Sequence, residues 1–425
     1  MIDTKIQKEK YILVCVYGGA EELAEASLEE LSDLTETAGA ESIGRVIQLM
    51  EHPNPATYVG KGKAEEIREI AGDLGADGII CDDELSPVQM RNLSDILEIK
   101  VIDRTILILD IFASHATTRE GKLQVEMAQL RYRASHLGGM GKALSRLGGG
   151  IGTRGPGETK LETDRRVIRR RIAALSGEIG RLKQARDITR HKRINGLVPI
   201  AAIVGYTNAG KSTLLNTLTA AEVLEEDKLF ATLDPTTRIL SLPEGMEILL
   251  TDTVGFINKL PHNLIDAFRS TLEEAVYADI LIHVVDLSDP QIQMHMKVVY
   301  DTLRDLEALG KPVITVFNKA DLAEGGGAAR DPLAEASFRI SAKTGEGLER
   351  LKEALRDIML MKQERIEEVI PYADAGRIDD IRKRGRLLKE EYEADGIHIC
   401  AVMPGKKYAD PMNPGKTNRA GRNNS

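Results

Sequence analysis

The strongest constraint on the fold is a glycine-rich segment that directly follows a run of apolar residues at positions 198–204. A buried strand that breaks into the pattern G-x-x-x-x-G-K-S, followed by an apolar helical stretch, predicts a strand, a phosphate-binding loop and a helix. The glycines allow backbone N–H groups to face one anion, and the helix N-terminus adds partial positive charge at the same point. We expect Lys211 to reach the β- and γ-phosphates of a nucleotide, and the Ser212 hydroxyl to ligate Mg²⁺. The predicted loop consists of Gly205, Tyr206, Thr207, Asn208, Ala209, Gly210, Lys211 and Ser212.

A second motif predicts which base is bound. The apolar run 311–317 ends in Asn318, Lys319, Ala320 and Asp321. The Asp321 carboxylate can accept two hydrogen bonds from guanine, one from the ring N–H and one from the exocyclic amine. Adenine offers neither donor at that position and would leave the carboxylate unpaired, which is costly. Taken alone, the motif is also compatible with an ordinary turn after a strand.

Two further segments complete the set of nucleotide-binding motifs. One is Asp252, Thr253, Val254 and Gly255, and the other is Ser341, Ala342 and Lys343. We expect Asp252 to hold Mg²⁺ through water, the Gly255 N–H to face the γ-phosphate, and the backbone of the second segment to contact the guanine carbonyl. Each motif lies at the carboxyl end of a predicted strand, where doubly wound sheets bind their ligands. The four motifs in this order predict a GTP-binding domain.

The remaining switch element is a loop that contains several threonines. A threonine here is needed to complete Mg²⁺ coordination when the γ-phosphate is present, and we assign that role to Thr232, with Thr236 and Thr237 as alternatives. Release of the loop on hydrolysis would give a two-state switch. The residues expected to act on the reacting phosphate are therefore Lys211, Thr232 and Gly255. The predicted nucleotide contacts of the loop are Phe230, Ala231, Thr232, Leu233 and Asp234.

The residue after Gly255 departs from the best-known small GTPases. Phe256 stands where those enzymes carry a glutamine that orients the attacking water, and a phenylalanine cannot hydrogen-bond water. We therefore expect slow intrinsic hydrolysis that needs a contribution from a partner surface or from a cation. Asn208 suggests K⁺ as that cation, although an asparagine is also favoured in a tight loop for conformational reasons.

The charge of the chain is strongly divided. The net charge is −9, but residues 119–193 hold 19 Lys and Arg against 7 Asp and Glu, a local charge of +12, so the rest of the chain carries −21. One basic element on an acidic molecule indicates a phosphate-rich partner such as nucleic acid. A solvated helix face is the alternative, but such faces usually mix charges of both signs.

Apolar residues at helical spacing predict that the basic region is a pair of antiparallel helices. They recur in a 4-3-4-3 pattern, which places them on one stripe of each helix. Between the helices, residues 138–157 hold nine glycines with Lys142, Arg146 and Arg154 and no acid before the helix resumes. We interpret this connector as a tip that contacts nucleic acid, and a floppy linker is the alternative. The two stripes are Leu123, Met127, Leu130, Ala134 and Leu137, and Ile168, Ile172, Leu175, Ile179 and Leu182.

The predicted fold class is α/β. An N-terminal α/β domain with parallel strands (1–112) leads into the helical hairpin (113–196), a GTPase domain with a doubly wound, mostly parallel sheet (197–364), a small βαββ domain (365–403) and a disordered tail (404–425). In the N-terminal domain, a basic turn around Lys61 opens a helix and offers a weaker second phosphate site. Three well-separated cysteines and the lack of a signal or membrane segment indicate a cytoplasmic protein. We expect it to act as a monomer.

Over nearly its whole length the chain resembles the bacterial HflX-type GTPases. The resemblance rests on YVGKGK (58–63), IDRT (102–105), QVEMAQLRYR (124–133), RGPGETKLETDRR (154–166), GYTNAGKST (205–213) and FATLDPTTR (230–238). The F-x-T-L of the switch loop is also similar to that of the Obg-like translational GTPases.

The resemblance implies a cytoplasmic GTPase that binds the large ribosomal subunit and its rRNA through the helical hairpin and its glycine-rich loop. It also implies that the GTP-bound form promotes subunit separation and rescues stalled ribosomes. Two other functions stay open at this stage. One is a ribosome-assembly or RNA-remodelling factor, and the other is a regulatory GTPase acting on a protein or a membrane partner.

Overall fold

The computed structural model describes residues 8–19, 21–144, 156–194, 198–219, 229–230, 235–259, 272–323, 330–361, 363–384 and 386–404. In these ranges the chain forms a four-stranded sheet, a long helical pair, a six-stranded sheet and a three-stranded sheet, in that order. The fold class is therefore the predicted one. The exact domain boundaries stay predictions.

The N-terminal sheet is fully parallel, as predicted. Its strands are β1 (Lys10–Tyr17), β2 (Glu41–Leu49), β3 (Gly78–Cys81) and β4 (Lys100–Asp103), arranged in the order β2-β1-β3-β4. The interior of β1 is buried on both faces, which its apolar sequence favours. The helices that connect and follow these strands are α1 (Glu21–Thr37), α2 (Lys61–Leu74), α3 (Pro87–Leu97) and α4 (Arg104–His115).

The basic region forms the predicted antiparallel hairpin of two helices, α5 (Arg119–Leu144) and α6 (Pro156–Ile194). The ion pairs between them fix the direction. Glu120 near the start of α5 pairs with Arg186 at 2.9 Å, whereas Glu126, further along α5, pairs with Arg171 at 2.7 Å. As the residue number increases along α5, the number of the paired residue on α6 decreases, so the two helices are antiparallel.

The glycine-rich connector is shorter than the sequence indicated. Helix α5 continues to Leu144 and α6 begins at Pro156, so both ends of the predicted 138–157 connector are helical. Isolated glycines are tolerated inside a helix that neighbouring residues favour, and Pro156 is well suited to a first helical position. Residues 145–155 lie outside the described part of the chain, so the nucleic-acid contact assigned to this tip stays a prediction.

In the predicted apolar stripe of α6, Leu175 is buried and the other four residues are half-buried, whereas α5 is buried more widely than predicted. Val125 and Ala128 of α5 lie off the predicted stripe and are buried. The reason is that α5 also packs on the N-terminal domain. The Tyr132 hydroxyl donates to Asp103 at 2.9 Å, and the His136 ring contacts the Leu85 carbonyl oxygen at 3.0 Å.

The six-stranded sheet has the order β10-β9-β8-β5-β7-β6, with β6 as the antiparallel edge strand. Neighbouring residues of β5 alternate between two cores, one containing residues of α7 and α9 and the other residues of α8, so helices cover both faces. The strands are β5 (Ile200–Gly205), β6 (Thr236–Ser241), β7 (Glu247–Asp252), β8 (Ile280–Asp286), β9 (Val313–Asn318) and β10 (Ala336–Arg339). The helices are α7 (Lys211–Thr219), α8 (Ile292–Asp305) and α9 (Leu348–Met361).

A continuous apolar core joins the N-terminal domain to this second sheet. It includes Leu28 and Phe112 from the first domain together with Phe230 and Phe256 from the second. The rings of Phe112 and Phe230 meet edge to face, with their centroids 4.6 Å apart. Aromatic pairs in this geometry are attractive beyond their buried area, so the two domains are held by packing as well as by charge.

The C-terminal unit has the predicted strand, helix, strand and strand. These are β11 (Gln363–Ile370), α10 (Gly376–Arg384), β12 (Arg386–Glu393) and β13 (Gly396–Pro404), with antiparallel order β11-β13-β12. None of the helices in the described ranges combines the length and the apolar character needed to cross a bilayer. Of the predicted disordered tail, Pro404 ends β13, and residues 405–425 lie outside the described residues.

Leu175 is the best position for testing the packing of the hairpin. Its side chain has 0% exposure, whereas Val167 on the same helix is 58% exposed. We expect Leu175→Ala to lower the stability of the helical pair by about 2 to 4 kcal/mol, because it leaves a cavity between packed helices. Val167→Ala, the control, should change it by about 0.5 kcal/mol or less. Hydrogen exchange of the backbone amides in α5 and α6 measures both, and equal effects of the two variants would contradict this packing.

Candidate nucleotide-binding site

The glycine-rich loop connects β5 to α7, and its glycines are required by close backbone approach. At Gly205, an added Cβ would lie 2.2 Å from the carbonyl oxygen of Val284. At Gly210, where φ is +88°, a Cβ would lie 2.3 Å from the Asn318 side-chain nitrogen. Any larger residue would force the loop away from the carboxyl ends of β8 and β9. The loop is therefore held against the edge of the sheet where ligands bind in this architecture.

Asn318 connects three of the four motifs. Its Nδ2 donates to the Ala209 carbonyl oxygen of the loop at 2.9 Å, and its Oδ1 accepts from the Ala342 N–H at 2.9 Å. The neighbouring Lys319 pairs with Asp286 at the end of β8, with 2.7 Å between Nζ and Oδ2. The N-K-x-D motif, the loop and the S-A-K segment thus form one connected surface.

Asp321 lies on that surface with its carboxylate exposed. A hydrogen bond from the Ser341 hydroxyl is the main cause that lowers the pKa of Asp321, so the carboxylate stays charged. The Ala320 N–H donates to the Ile340 carbonyl oxygen at 3.0 Å and holds the two segments together. Lys343 is exposed beside the buried Ser341 and Ala342.

Ser212 and Asp252 come together as the metal prediction requires. The Ser212 hydroxyl donates to Asp252 Oδ2 at 2.7 Å, and Asp252 has 0% exposure. The backbone at Asp252 is held in place by the next residue, because the Thr253 hydroxyl donates a hydrogen bond to the Ile203 carbonyl oxygen at 2.7 Å. A hydroxyl and a carboxylate that share one point are oxygen donors of the kind that Mg²⁺ prefers, so the residues fit the ion.

Lys211 is buried beside Gly255. Its Nζ donates to the Tyr206 carbonyl oxygen at 2.6 Å, and a Cβ on Gly255 would lie 2.9 Å from the same Nζ. Burial lowers the pKa of Lys211 to about 8, with Lys319 adding repulsion and Asp252 acting in the opposite direction. The amine therefore lacks a strong counter-charge in this arrangement, and an anion bound there would supply one.

The switch loop is described only at its flanks. Phe230 is buried, with φ at +58°, and packs on Phe112 of α4. Ala231, Thr232, Leu233 and Asp234 lie outside the described residues, so their assigned roles stay predictions. The two alternatives to Thr232 lie in β6, where Thr236 pairs with Asp252 in the strand ladder and the Thr237 hydroxyl is 3.0 Å from that of Thr251.

Phe256 and Asn208, the two residues that bear on the mechanism of hydrolysis, both belong to the described part of the chain. Phe256 is 1% exposed and belongs to the apolar core, while its backbone exchanges hydrogen bonds with Gly205 (3.0 Å) and Thr207 (2.8 Å). Its ring is therefore structural, and it offers no group to orient water. Asn208 is exposed, with φ at +56°, a conformation that asparagine tolerates better than most residues. A role for Asn208 with K⁺ stays a prediction.

The sequence interpretation missed how closely the N-terminal domain approaches these motifs. Tyr206, a variable position of the loop motif, stacks on His295 with ring centroids 3.7 Å apart and donates its hydroxyl to Glu30 of α1. Lys259, four residues after Gly255, pairs with Asp82 and with Asp83, the latter at 2.8 Å. A cleft of about 770 Å³ lies between the acidic face of α1 and the loop. Glu30 and Tyr206 are 176 positions apart, and no periodic pattern relates them.

The weaker phosphate site proposed in the N-terminal domain gains little from the structure. Helix α2 begins at Lys61, but the N–H of its N-cap residue, Gly60, is already bonded to Gln48 Oε1 at 2.8 Å. Lys63 pairs with Glu66 at 2.7 Å. Gly60 and Lys63 are thus engaged in local structure, and a phosphate contact at Lys61 stays a prediction.

Lys211 gives the site a testable pH dependence. Its pKa is about 8 in the present arrangement, and a bound phosphate would raise that value because opposite charges attract. The attraction contributes fully to nucleotide affinity below about pH 8. It is lost as pH rises above that value, by up to about tenfold per pH unit. Nucleotide affinity should therefore change little up to about pH 8 and weaken between about pH 8 and about pH 9.

Titration of a fluorescent guanine nucleotide measures this change, with Lys211→Arg as the control. A guanidinium stays charged over the whole range, so the control should bind more weakly at neutral pH yet show a flatter profile. Equal pH profiles for the two proteins would show that Lys211 does not titrate as the structure indicates.

Three family models match consecutive parts of the chain. Residues 25–113 match the model described as "GTP-binding GTPase N-terminal", and residues 115–193 match "GTP-binding GTPase Middle Region". Residues 200–319, which contain the glycine-rich loop and end in the N-K-x-D motif, match "50S ribosome-binding GTPase". Together they cover the N-terminal domain, the helical pair and most of the nucleotide-binding domain.

Several curated relatives align over most of the chain. GTPase HflX of Lacrimispora saccharolytica is 58% identical, covering 96% of this chain and 97% of the relative. The HflX of Caldanaerobacter subterraneus subsp. tengcongensis is 50% identical (93% and 91%), and that of Escherichia coli K12 is 44% identical (84% of each chain).

Among solved structures, a GTP-binding protein from the archaeon Sulfolobus solfataricus, in complex with GDP, is 25% identical with a TM-score of 0.44. The match covers 83% of this chain and 99% of that one. The family models and the curated relatives together support GTP binding and hydrolysis. The chain belongs to the HflX family of GTPases.

Proposed function

We propose that this GTPase binds the large ribosomal subunit through its basic helical pair and promotes the separation of ribosomal subunits, which rescues stalled ribosomes. The observation that carries the proposal is the row of exposed arginines on α6. The description of the family model matched by residues 200–319, "50S ribosome-binding GTPase", agrees with it.

The arginines of α6 divide into two groups. Arg171 and Arg186 face α5 and pair with its glutamates. Arg166, Arg169 and Arg170 are exposed, and among the described residues no ion pair includes any of them. A surface of cations that are not paired with acids favours a polyanion, because phosphate contacts release condensed counterions. Ribosomal RNA is the partner that fits this surface.

In the proposed reaction, the residues of the nucleotide site bind and orient GTP. Lys211 would contact the β- and γ-phosphates, the Gly255 N–H would face the γ-phosphate, and Asp321 would select guanine. Ser212 and Asp252 would hold Mg²⁺ together with Thr232 of the switch loop. Bound Mg²⁺ neutralises the charge that develops between the β- and γ-phosphates.

Intrinsic hydrolysis should be slow, because Phe256 lies in the core and offers no hydrogen bond to the attacking water. A partner surface that supplies or orders such a group near Gly255 would raise the rate. Related GTPases gain about 10³- to 10⁵-fold when a partner contributes one charged group to the transition state. We propose that the large subunit is this partner, so that GTP hydrolysis is fast only on the ribosome.

Replacement of the exposed arginines tests the RNA contact. In a variant with Arg166→Gln, Arg169→Gln and Arg170→Gln, large subunits should stimulate hydrolysis at least about tenfold less at a given subunit concentration, because three phosphate contacts are lost. The dependence of subunit binding on salt should also become shallower. Both are measured by phosphate release and by co-sedimentation at several salt concentrations.

The matched control is Arg45→Gln with Arg68→Gln and Arg91→Gln, which makes the same charge change at exposed arginines of the N-terminal domain. It should keep most of the stimulation. Full stimulation of hydrolysis in the α6 variant would contradict the proposed RNA contact. Selective binding of both proteins to immature subunits would instead favour the assembly function.

A further inference from the structure

Three side chains that can ligate a metal ion meet at the turn between β12 and β13. Glu393 ends β12, Asp395 lies in the two-residue turn, and His398 follows on β13. One carboxylate oxygen from each acid and one imidazole nitrogen all lie within 4.8 Å of one another. The cluster belongs to the C-terminal unit, a part of the chain that the proposed function does not use.

The strand ladder fixes the positions of these residues. Glu393 pairs with Gly396, and His398 lies two residues further along β13, so the side chains of Glu393 and His398 belong to the same face of the sheet. The Tyr372 hydroxyl donates to the Glu393 carbonyl oxygen at 2.8 Å and holds the end of β12. The three side chains are therefore positioned by a tight hairpin and not by a long loop, as a precise metal site requires.

The distances in the cluster suit a single metal ion. The His398 Nε2 lies 2.9 Å from Asp395 Oδ1 and 3.7 Å from Glu393 Oε2. Nitrogen and oxygen ligands lie about 2.0 to 2.2 Å from Zn²⁺ in a tetrahedral site, which places neighbouring ligand atoms about 3.3 Å apart. The two observed distances fall on either side of that value. Both acids are exposed and His398 is half-buried, so small side-chain movements are enough to close the site.

The charge of the cluster also suits a divalent ion. Two carboxylates and a neutral imidazole carry a charge of −2, which one divalent cation neutralises. In the described part of the chain, the only ion pairs of Glu393 and Asp395 are those with His398. Lys389, the next basic residue back along β12, pairs instead with Glu391 at 2.7 Å. The acids of the cluster are therefore not neutralised by a lysine or an arginine.

The imidazole determines which ions fit. Mg²⁺ and Ca²⁺ prefer oxygen ligands alone, whereas an imidazole together with carboxylates suits Zn²⁺ and the neighbouring transition metals. Three protein ligands leave the fourth tetrahedral position open for water. In its chemistry the cluster thus differs from the magnesium site proposed at Ser212 and Asp252.

The C-terminal unit would gain stability from such an ion, because its own core is small. Folded units of about 40 residues usually need a disulfide, a metal or association with another surface. Cys400 is the only cysteine of residues 363–404, and it is free. In the described part of the unit, the buried apolar cluster consists of Ile370, Ile378, Ile381, Ile397, Ile399 and Ala401.

We propose that Glu393, Asp395 and His398 bind Zn²⁺, or a transition-metal ion with the same ligand preference, and that the ion ties β12 to β13 at their turn. The ion stabilises the C-terminal unit because the three ligands come together only in the folded hairpin. This inference goes beyond GTP hydrolysis and ribosome binding and rests on neither of them.

Titration of the full chain with Zn²⁺, in competition with a chromophoric chelator, tests the site. The measurement is made without nucleotide at about pH 8, where protons compete little for the imidazole. His398→Gln should lower the Zn²⁺ affinity at least about tenfold, because even the loss of a residue that only supports a ligand costs that much. His52→Gln, at an exposed histidine of the N-terminal domain, is the control and should bind as the wild type does. Equal affinities of the wild type and His398→Gln would overturn the proposal.

Asp395→Asn is the second variant, and Asp374→Asn is its matched control. Both positions are exposed in the C-terminal unit, but only Asp395 belongs to the cluster. Asp395→Asn should weaken Zn²⁺ binding, and Asp374→Asn should leave it unchanged. Equal weakening by the two variants would assign the binding to the general negative charge of the unit and would overturn the proposal.

Hydrogen exchange and Co²⁺ absorption test the location of the ion. At a free Zn²⁺ concentration ten times the dissociation constant, amide exchange that requires opening of the β12–β13 turn should slow about tenfold in the wild type. It should not slow in His398→Gln. Unchanged exchange in the wild type would overturn the proposal. So would a strong thiolate absorption band of bound Co²⁺, because it would place the ion at a cysteine.

Discussion

The two hydrogen bonds of the Asn318 side chain hold the nucleotide site together. One fixes the phosphate-binding loop through Ala209, and the other fixes the S-A-K segment through Ala342. The approach is so close that Gly210 has no room for a Cβ. Because these motifs come from separate strand ends, their common position depends on the order and register of the sheet beneath them. The sheet therefore brings the four loop segments to one edge.

The local parts of this architecture were predictable from the sequence. The loop, the strand that precedes it and the helix that follows are adjacent in the chain, so the G-x-x-x-x-G-K-S pattern determines them without knowledge of tertiary contacts. The apolar stripe of α6 is periodic, and along it Leu175 is buried while the other stripe residues are half-buried. The cation row on the same helix follows from the same periodicity.

Contacts between distant segments were not predictable. Helix α5 is buried on two sides because Tyr132 reaches Asp103, and nothing in its own spacing reveals a second neighbour. Glu30 and Tyr206 meet across 176 positions. Lys259 is one of many lysines, and only the fold brings it to Asp82 and Asp83. Polar pairs of this kind carry no periodicity, so a single sequence does not distinguish them from solvated surface charges.

One packed N-terminal domain lies between the helical pair, the proposed RNA-binding surface, and the nucleotide-binding loops. That domain contacts α5 on one side and the nucleotide loops on the other. The central claim is that GTP, and not GDP, makes this protein separate ribosomal subunits. Light scattering of intact ribosomes after addition of the full chain tests it most directly. A fall in scattering with a non-hydrolysable GTP analogue and little change with GDP is the predicted result. Intact ribosomes with both nucleotides, despite bound protein, would contradict it.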